Sequence, residues 1–194
     1  MDTNDPVSAP ADRGAAPVAS ATSTDHATAP YAERRPPAKS VLKWAILTVP
    51  LVVILGLFSG WASGSGADGP WFDALVKPEI YPPAFLFGVV WTILYVLIGF
   101  SLAFVLAAPP HPLKRFALLV FAAQLFVNVL WSPIFFGAQL IAFAFFWIVL
   151  LIVLVMANMA YFAKISRMAA LLLVPYLAWI CFAGVLNLRF WQLN

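Results

Sequence analysis

Leu130-Trp-Ser-Pro133-Ile-Phe-Phe-Gly137-Ala-Gln-Leu-Ile141 sits within a run from Phe116 to Ala163 that holds no charged side chain. The hydrocarbon core of a bilayer takes about 20 helical residues, so this run is too long for one span. Ser132-Pro133 and Gly137 supply the break, because proline removes a helix hydrogen bond and glycine admits turn geometry. The run therefore reads as two spans, about 116–136 and 139–163, joined by a very tight turn. Further apolar stretches lie at about 41–61 and 83–107 before it and 168–191 after it. The predicted fold is an all-α integral membrane protein, a five-transmembrane-helix bundle.

Composition agrees with that reading and removes several functions. The chain is 63% hydrophobic and only 10% charged, against about 25% charged in a soluble domain. All eight carboxylates precede residue 80, so the last four predicted helices hold none. Ion-coupled transporters and proton pumps place ionisable groups inside the membrane, which makes both poor readings here. His26 and His111 lie outside the apolar runs, which disfavours paired axial haem ligation. Cys181 is the only cysteine; it permits no intrachain disulfide or multi-cysteine metal site and is expected to pack as a small apolar residue. A net charge of +3, dispersed along the chain, gives no nucleic-acid footprint.

Residues 1–40 are rich in Ala, Pro, Ser and Thr and read as a disordered, solvated tail with no signal-peptide core. The five-helix domain then runs over 41–194. Arg34, Arg35, Lys39 and Lys43 precede or open the first span, Lys114 and Arg115 separate the second and third, and Lys164 and Arg167 separate the fourth and fifth. The positive-inside rule places the N-terminus in the cytoplasm of a bacterial inner membrane; an outer-membrane location stays open.

Three helices carry polar-aromatic faces that lipid contact does not require. On the fifth, Tyr176, Trp179, Ala183 and Asn187 fall at i, i+3, i+7 and i+11. On the second, Phe87, Trp91, Tyr95 and Gly99 recur every four residues. On the third, Gln124, Asn128 and Trp131 share a side; interhelical hydrogen bonding is the plainer role for the two amides. The fourth helix offers Trp147 and Asn158 without such a face, and packing suffices there. Pro50, Pro133 and Pro175 are expected to kink their helices and open space between them. The result is a predicted pocket for a flat, largely apolar ligand, with Asn128 or Tyr95 orienting it. Gly56 and Gly60 on the first helix, with Gly64 beyond, suit close helix contact, either within the bundle or between two copies. The loop at about 62–82 is the longest; Trp71, Phe72 and Leu75 make it either an interfacial anchor or a lid, and Pro82-Pro83 suits the start of the second helix.

Six motifs taken in order resemble one family: Trp71-Phe-Asp-Ala-Leu-Val-Lys-Pro78, Pro82-Pro83, Val90-Trp-Thr-Ile-Leu-Tyr95, Gln124-Leu-Phe-Val-Asn128-Val-Leu-Trp-Ser132, Ile134-Phe-Phe136, and Pro175-Tyr-Leu-Ala-Trp179 through Asn187. From about residue 41 onward the chain is similar to translocator proteins, whose bacterial members are called tryptophan-rich sensory proteins and whose animal members are peripheral-type benzodiazepine receptors. The resemblance implies a compact, commonly dimeric five-helix bundle with a pocket opening toward the first loop. It implies porphyrin as ligand, with sterols or benzodiazepine-type ligands in some members. It also implies that Tyr95, Asn128 and Ala183 line the pocket, and that Trp91 and Trp179 serve a light- and oxygen-dependent breakdown of protoporphyrin IX found in some bacterial members. Two departures narrow this. Phe72 stands where Tyr is common, and Leu188 and Gln192 stand where the animal sterol segment needs Tyr and a basic residue.

The expected ligand set is Trp91, Tyr95, Asn128, Trp131, Tyr176, Trp179 and Ala183, beneath a lid of Trp71, Phe72, Pro82 and Pro83, with no metal and no required cofactor. The expected function is a membrane receptor or transporter for tetrapyrroles. A photo-oxidative enzyme using Trp91 and Trp179 is the second reading, and a structural or assembly protein whose aromatic faces only pack is the third.

Overall fold

The computed structural model describes residues 36–64 and 69–194. The predicted tail lies outside the described residues as far as residue 35, as do Arg34, Arg35 and Asp68. Among the described residues every regular element is helical. They are α1 (Ala38–Ala62), α2 (Pro70–Ala74), α3 (Ala84–Ala107), α4 (Lys114–Ser132) continued by a π-helical turn (Pro133–Gly137), α5 (Ile141–Ile165), α6 (Arg167–Leu172) and α7 (Val174–Leu193). Five segments are long and apolar enough to cross a membrane: α1, α3, α4 with its π turn, α5, and α6 with α7. The protein is a multi-pass integral membrane protein.

Helix ends explain most differences from the sequence reading. α1 begins at Ala38, just after Pro36-Pro37, so the last residues assigned to the tail are helical. The reversal between α4 and α5 does not use Gly137 for its left-handed residue. Gln139 takes that role at φ 59°, while Ala138 N–H closes the π turn onto the Pro133 carbonyl at 2.8 Å. The last span is interrupted at Leu173, so Pro175 sits in the first turn of α7, where its missing N–H is harmless, rather than bending a continuous helix. Ser166 caps α6 by accepting from Ala169 N–H. Lys114 closes the carbonyl end of α3, donating to Leu106 and Ala108 carbonyls at 2.9 and 3.0 Å.

Breaks in helices leave carbonyls that lipid cannot satisfy, and neighbouring hydroxyls take them. Pro133 has no N–H to return to Val129, and Ser59 of α1 donates to the Val129 carbonyl instead. The break at Leu173 frees the Ala169 carbonyl, which accepts from Ser101 of α3 at 2.6 Å. These two bonds tie α1 to α4 and α3 to α6.

α1 packs along α3, and α5 lies against α4, α6 and α7. At the end of the bundle where α1 begins and α3 finishes, Val41, Ala45 and Ala103 pack under Val49, Phe100 and Phe104. Gly99 makes this contact possible: a Cβ there would lie 2.6 Å from the Val49 Cα. Thr48 crosses the same seam and donates to the Gly99 carbonyl at 2.8 Å.

Candidate functional site

The opposite end of the bundle, where α1, α4 and α7 finish and α3 and α5 begin, encloses a cavity of about 650 Å³. Its wall comes from four spans: Trp91 and Tyr95 on α3, Asn128 and Trp131 on α4, Trp179 and Ala183 on α7, and Gly56 and Gly60 on α1. Ile148 and Leu151 of α5 close it from behind, and no lining residue is an acid, a lysine, an arginine or a histidine. Its size and its aromatic walls with few polar groups suit a small organic ligand.

The aromatic walls are organised by ring contacts. Trp91 stacks on Tyr95 with centroids 5.2 Å apart and meets Tyr176 edge-on at 6.3 Å. Phe87 meets Trp179 edge-on at 5.8 Å. Trp131 stacks on Phe135 at 5.1 Å.

Behind these rings runs a buried polar chain. Tyr95 Oη donates to Asn128 Oδ1 at 3.3 Å, Asn128 Nδ2 donates to Tyr176 Oη at 3.0 Å, and Tyr176 Oη donates to Gln124 Oε1 at 3.2 Å. Gln124 and Asn128 are thus the interhelical connectors that their spacing suggests, joining α3, α4 and α7 at lipid depth. The chain also orients the Asn128 amide, since Tyr95 takes its oxygen and Tyr176 takes its nitrogen.

Of the seven residues expected to bind ligand, six line the cavity: Trp91, Tyr95, Asn128, Trp131, Trp179 and Ala183. Tyr176 does not. It is fully buried and supports Asn128 and Trp91 from behind. Tyr176 lies one turn nearer the closed end than Trp179, where the Trp91 ring of α3 and the Gln124 and Asn128 amides of α4 enclose it. Asn187, the last residue of the same face, does line the cavity, and its Nδ2 donates to the Ile141 carbonyl at 2.9 Å.

The described part of the connection between α1 and α3, from Gly69 onward, forms a cover. α2 presents Phe72, which is buried and lines the cavity, among the rings of Tyr81, Phe135, Phe136 and Phe190 at 5.3–6.4 Å. Trp71 and Leu75 pack on that cluster from outside the cavity. Pro82 and Pro83 are not part of the lining; Pro83 caps α3, and the lid residue that reaches the cavity beside Phe72 is Tyr81. Lys77 rests 4.3 Å from the Phe72 ring centroid and donates to the Phe72 and Leu75 carbonyls, closing the end of α2. Burial, and secondarily the Asp73 carboxylate, raise the Tyr81 phenol above its ordinary value.

With this geometry in place, comparison with known proteins is decisive. The family model described as TspO/MBR family matches residues 47–192. The chain belongs to the TspO/MBR family. Within that family it is similar to the tryptophan-rich protein TspO of Chlorobaculum tepidum, 40% identical over 77% of this chain and 97% of that one. Protein CrtK of Rhodobacter capsulatus is 39% identical over 69% of this chain and 86% of its own. The translocator protein of Bos taurus is 33% identical over 74% and 86%. The TspO/MBR match includes every cavity-lining residue.

Sequence reasoning missed several lining residues. Gly56, Gly60 and Gly64 all face the cavity, and Gly88 does so from α3. At Gly56 the place a Cβ would take is filled by the Tyr95 ring, 2.1 Å away, so this glycine serves the bundle's interior. The fourfold spacing was visible; which surface it met was not. Trp147 packs as expected, donating to the Val127 carbonyl at 2.8 Å, and Asn158 is completely buried. Cys181 departs from its expected packing and lies on the exposed side of α7.

Proposed function

We propose that the protein is a membrane receptor or transporter for tetrapyrroles, protoporphyrin IX among them, with a sensory or regulatory role. The observation that carries this reading is the covered, uncharged cavity between aromatic walls, with the hydrogen-bonded amides of Asn128 and Asn187 in its lining. A planar conjugated ligand gains most from stacking and apolar burial, and Asn128 would fix its rotation. With no cation in the lining, carboxylates of such a ligand would stay toward the mouth, since burying an unpaired carboxylate is costly. The altered sterol segment, Leu188 and Gln192, weighs against sterol at that position; Arg189 there hydrogen-bonds Gln192 on the surface. The same reading puts the N-terminus in the cytoplasm of a bacterial inner membrane and the working form as a homodimer.

Titration with protoporphyrin IX should quench tryptophan fluorescence saturably. Ala183→Phe, which fills the cavity beside Trp179, should weaken binding at least about tenfold, or about 1.4 kcal/mol. Unchanged affinity in that variant would rule out this cavity as the site.

A second reading is favoured by the stacking of Trp91 on Tyr95 and the contact with Tyr176. Oxidisable rings in van der Waals series beside a photosensitising macrocycle suit a reaction in which light supplies the energy and molecular oxygen is the oxidant. Bleaching of the bound pigment in air should then slow in Trp91→Phe and Trp179→Phe. Equal bleaching with and without protein removes the enzymatic reading.

A further inference from the structure

The cover over the cavity is also fastened by two residues outside the cavity lining, Val76 and Asn194. Val76 follows α2 in the loop, and both of its backbone groups are held by one side chain at the far end of the chain. Val76 N–H donates to Asn194 Oδ1 at 2.8 Å, and Asn194 Nδ2 donates back to the Val76 carbonyl at 3.2 Å. The same Nδ2 donates to the Phe190 carbonyl at 3.0 Å, which fixes the amide on the last turn of α7. A carboxamide has one acceptor and one donor edge, and here it reads both groups of a single residue, as a neighbouring strand would. Phe190 in turn lies 5.6 Å from Phe72. The cover and α7 are therefore joined twice, once by rings inside and once by an amide outside.

We propose that Asn194 is a releasable clasp that sets how often the cover opens, and so the speed at which ligand enters and leaves. Two features suit it to release. The Asn194–Val76 bonds are solvent-exposed, and an exposed bond exchanges readily with water, so its net strength is modest. The α2 segment is also short, five residues, and has no stable helix of its own to keep it in place. Lys77 preserves the inner shape of the cover by closing α2 and resting on Phe72, so that opening at Val76 would move α2 and Phe72 together. Asn194 acts through Val76 and Phe72 and is a positioning residue, not a ligand contact.

The test uses the full chain in detergent or nanodiscs, with Asn194→Ala and Asn194→Asp. The Asp variant keeps an acceptor for Val76 N–H and loses both donated bonds. Amide hydrogen exchange over residues 70–77 reports opening without any ligand. It should rise about fivefold to tenfold in Asn194→Ala, less in Asn194→Asp, while exchange in the Gly99 region stays as in the unsubstituted protein. Unchanged exchange over residues 70–77, or an equal rise throughout the bundle, would overturn the clasp. Stopped-flow quenching with protoporphyrin IX rests on the tetrapyrrole reading and adds a second readout. Association and dissociation rates should rise by the same factor and leave Kd unchanged, because the clasp is closed over the empty cavity too. A changed Kd with an unchanged association rate would make Asn194 a ligand contact and overturn the clasp. If the porphyrin fails to bind the unsubstituted protein while exchange behaves as expected, the ligand assignment fails and the clasp stands.

Discussion

The two ends of the bundle use glycine in opposite ways. At the closed end, Gly99 lets α1 and α3 approach until Val49 Cα occupies the space of the missing side chain. At the cavity end, Gly56 leaves room for the Tyr95 ring, and nothing lies within 4 Å of where a Gly88 Cβ would be. One end is made by backbones meeting, the other by backbones held apart around rings. In a membrane no hydrophobic effect drives helix on helix, so close van der Waals contact and hydrogen bonds carry association. The close seam at Thr48, Gly99 and Val49 can therefore anchor the bundle while the other end stays hollow.

Substitutions should separate the two ends. Gly99→Leu should cause the largest loss of stability, about 3 kcal/mol, because a backbone cannot yield as a side chain does; unfolding in mixed micelles measures it. Asn128→Ala should lose about 1–3 kcal/mol, since the buried Tyr95 hydroxyl would lose its acceptor while Tyr176 keeps only its bond to Gln124, and it should also weaken porphyrin quenching. Gly88→Ala, by contrast, should alter stability by less than about 0.5 kcal/mol. An equal loss in Gly88→Ala and Gly99→Leu would erase the distinction between the ends.

The smallest expected effect is one of pH on the cover. The Tyr81 phenol is raised in the closed form, so its contribution to closure is complete below the ordinary tyrosine value of about 10. It is lost as pH rises from there through the raised value, because the open form releases its proton first. Hydrogen exchange over residues 70–77, corrected for its intrinsic pH dependence, should therefore increase above about pH 10 and lose that increase in Tyr81→Phe.

Much of this was legible in the chain. Apolar run length and charge placement determined the number of spans, because bilayer thickness and the cost of charge in lipid act on composition alone. Helical spacing put Trp91 with Tyr95, Asn128 with Trp131, and Trp179 with Ala183, and all six line one cavity. Spacing describes a face, however, and says nothing of what lies opposite. Only the tertiary structure withdrew Tyr176 behind the wall, because Trp91 of α3 and Gln124 and Asn128 of α4 close around it at that turn. Only it turned Gly56 toward Tyr95 rather than toward another copy, and placed the positive φ on Gln139 instead of Gly137. Asn194 could not have been paired with Val76 from sequence, since the two are 118 residues apart and no local pattern links them. Periodicity and hydropathy are properties of one helix in its solvent; a cavity, a polar chain across three spans and a fastened cover exist only once the helices have met.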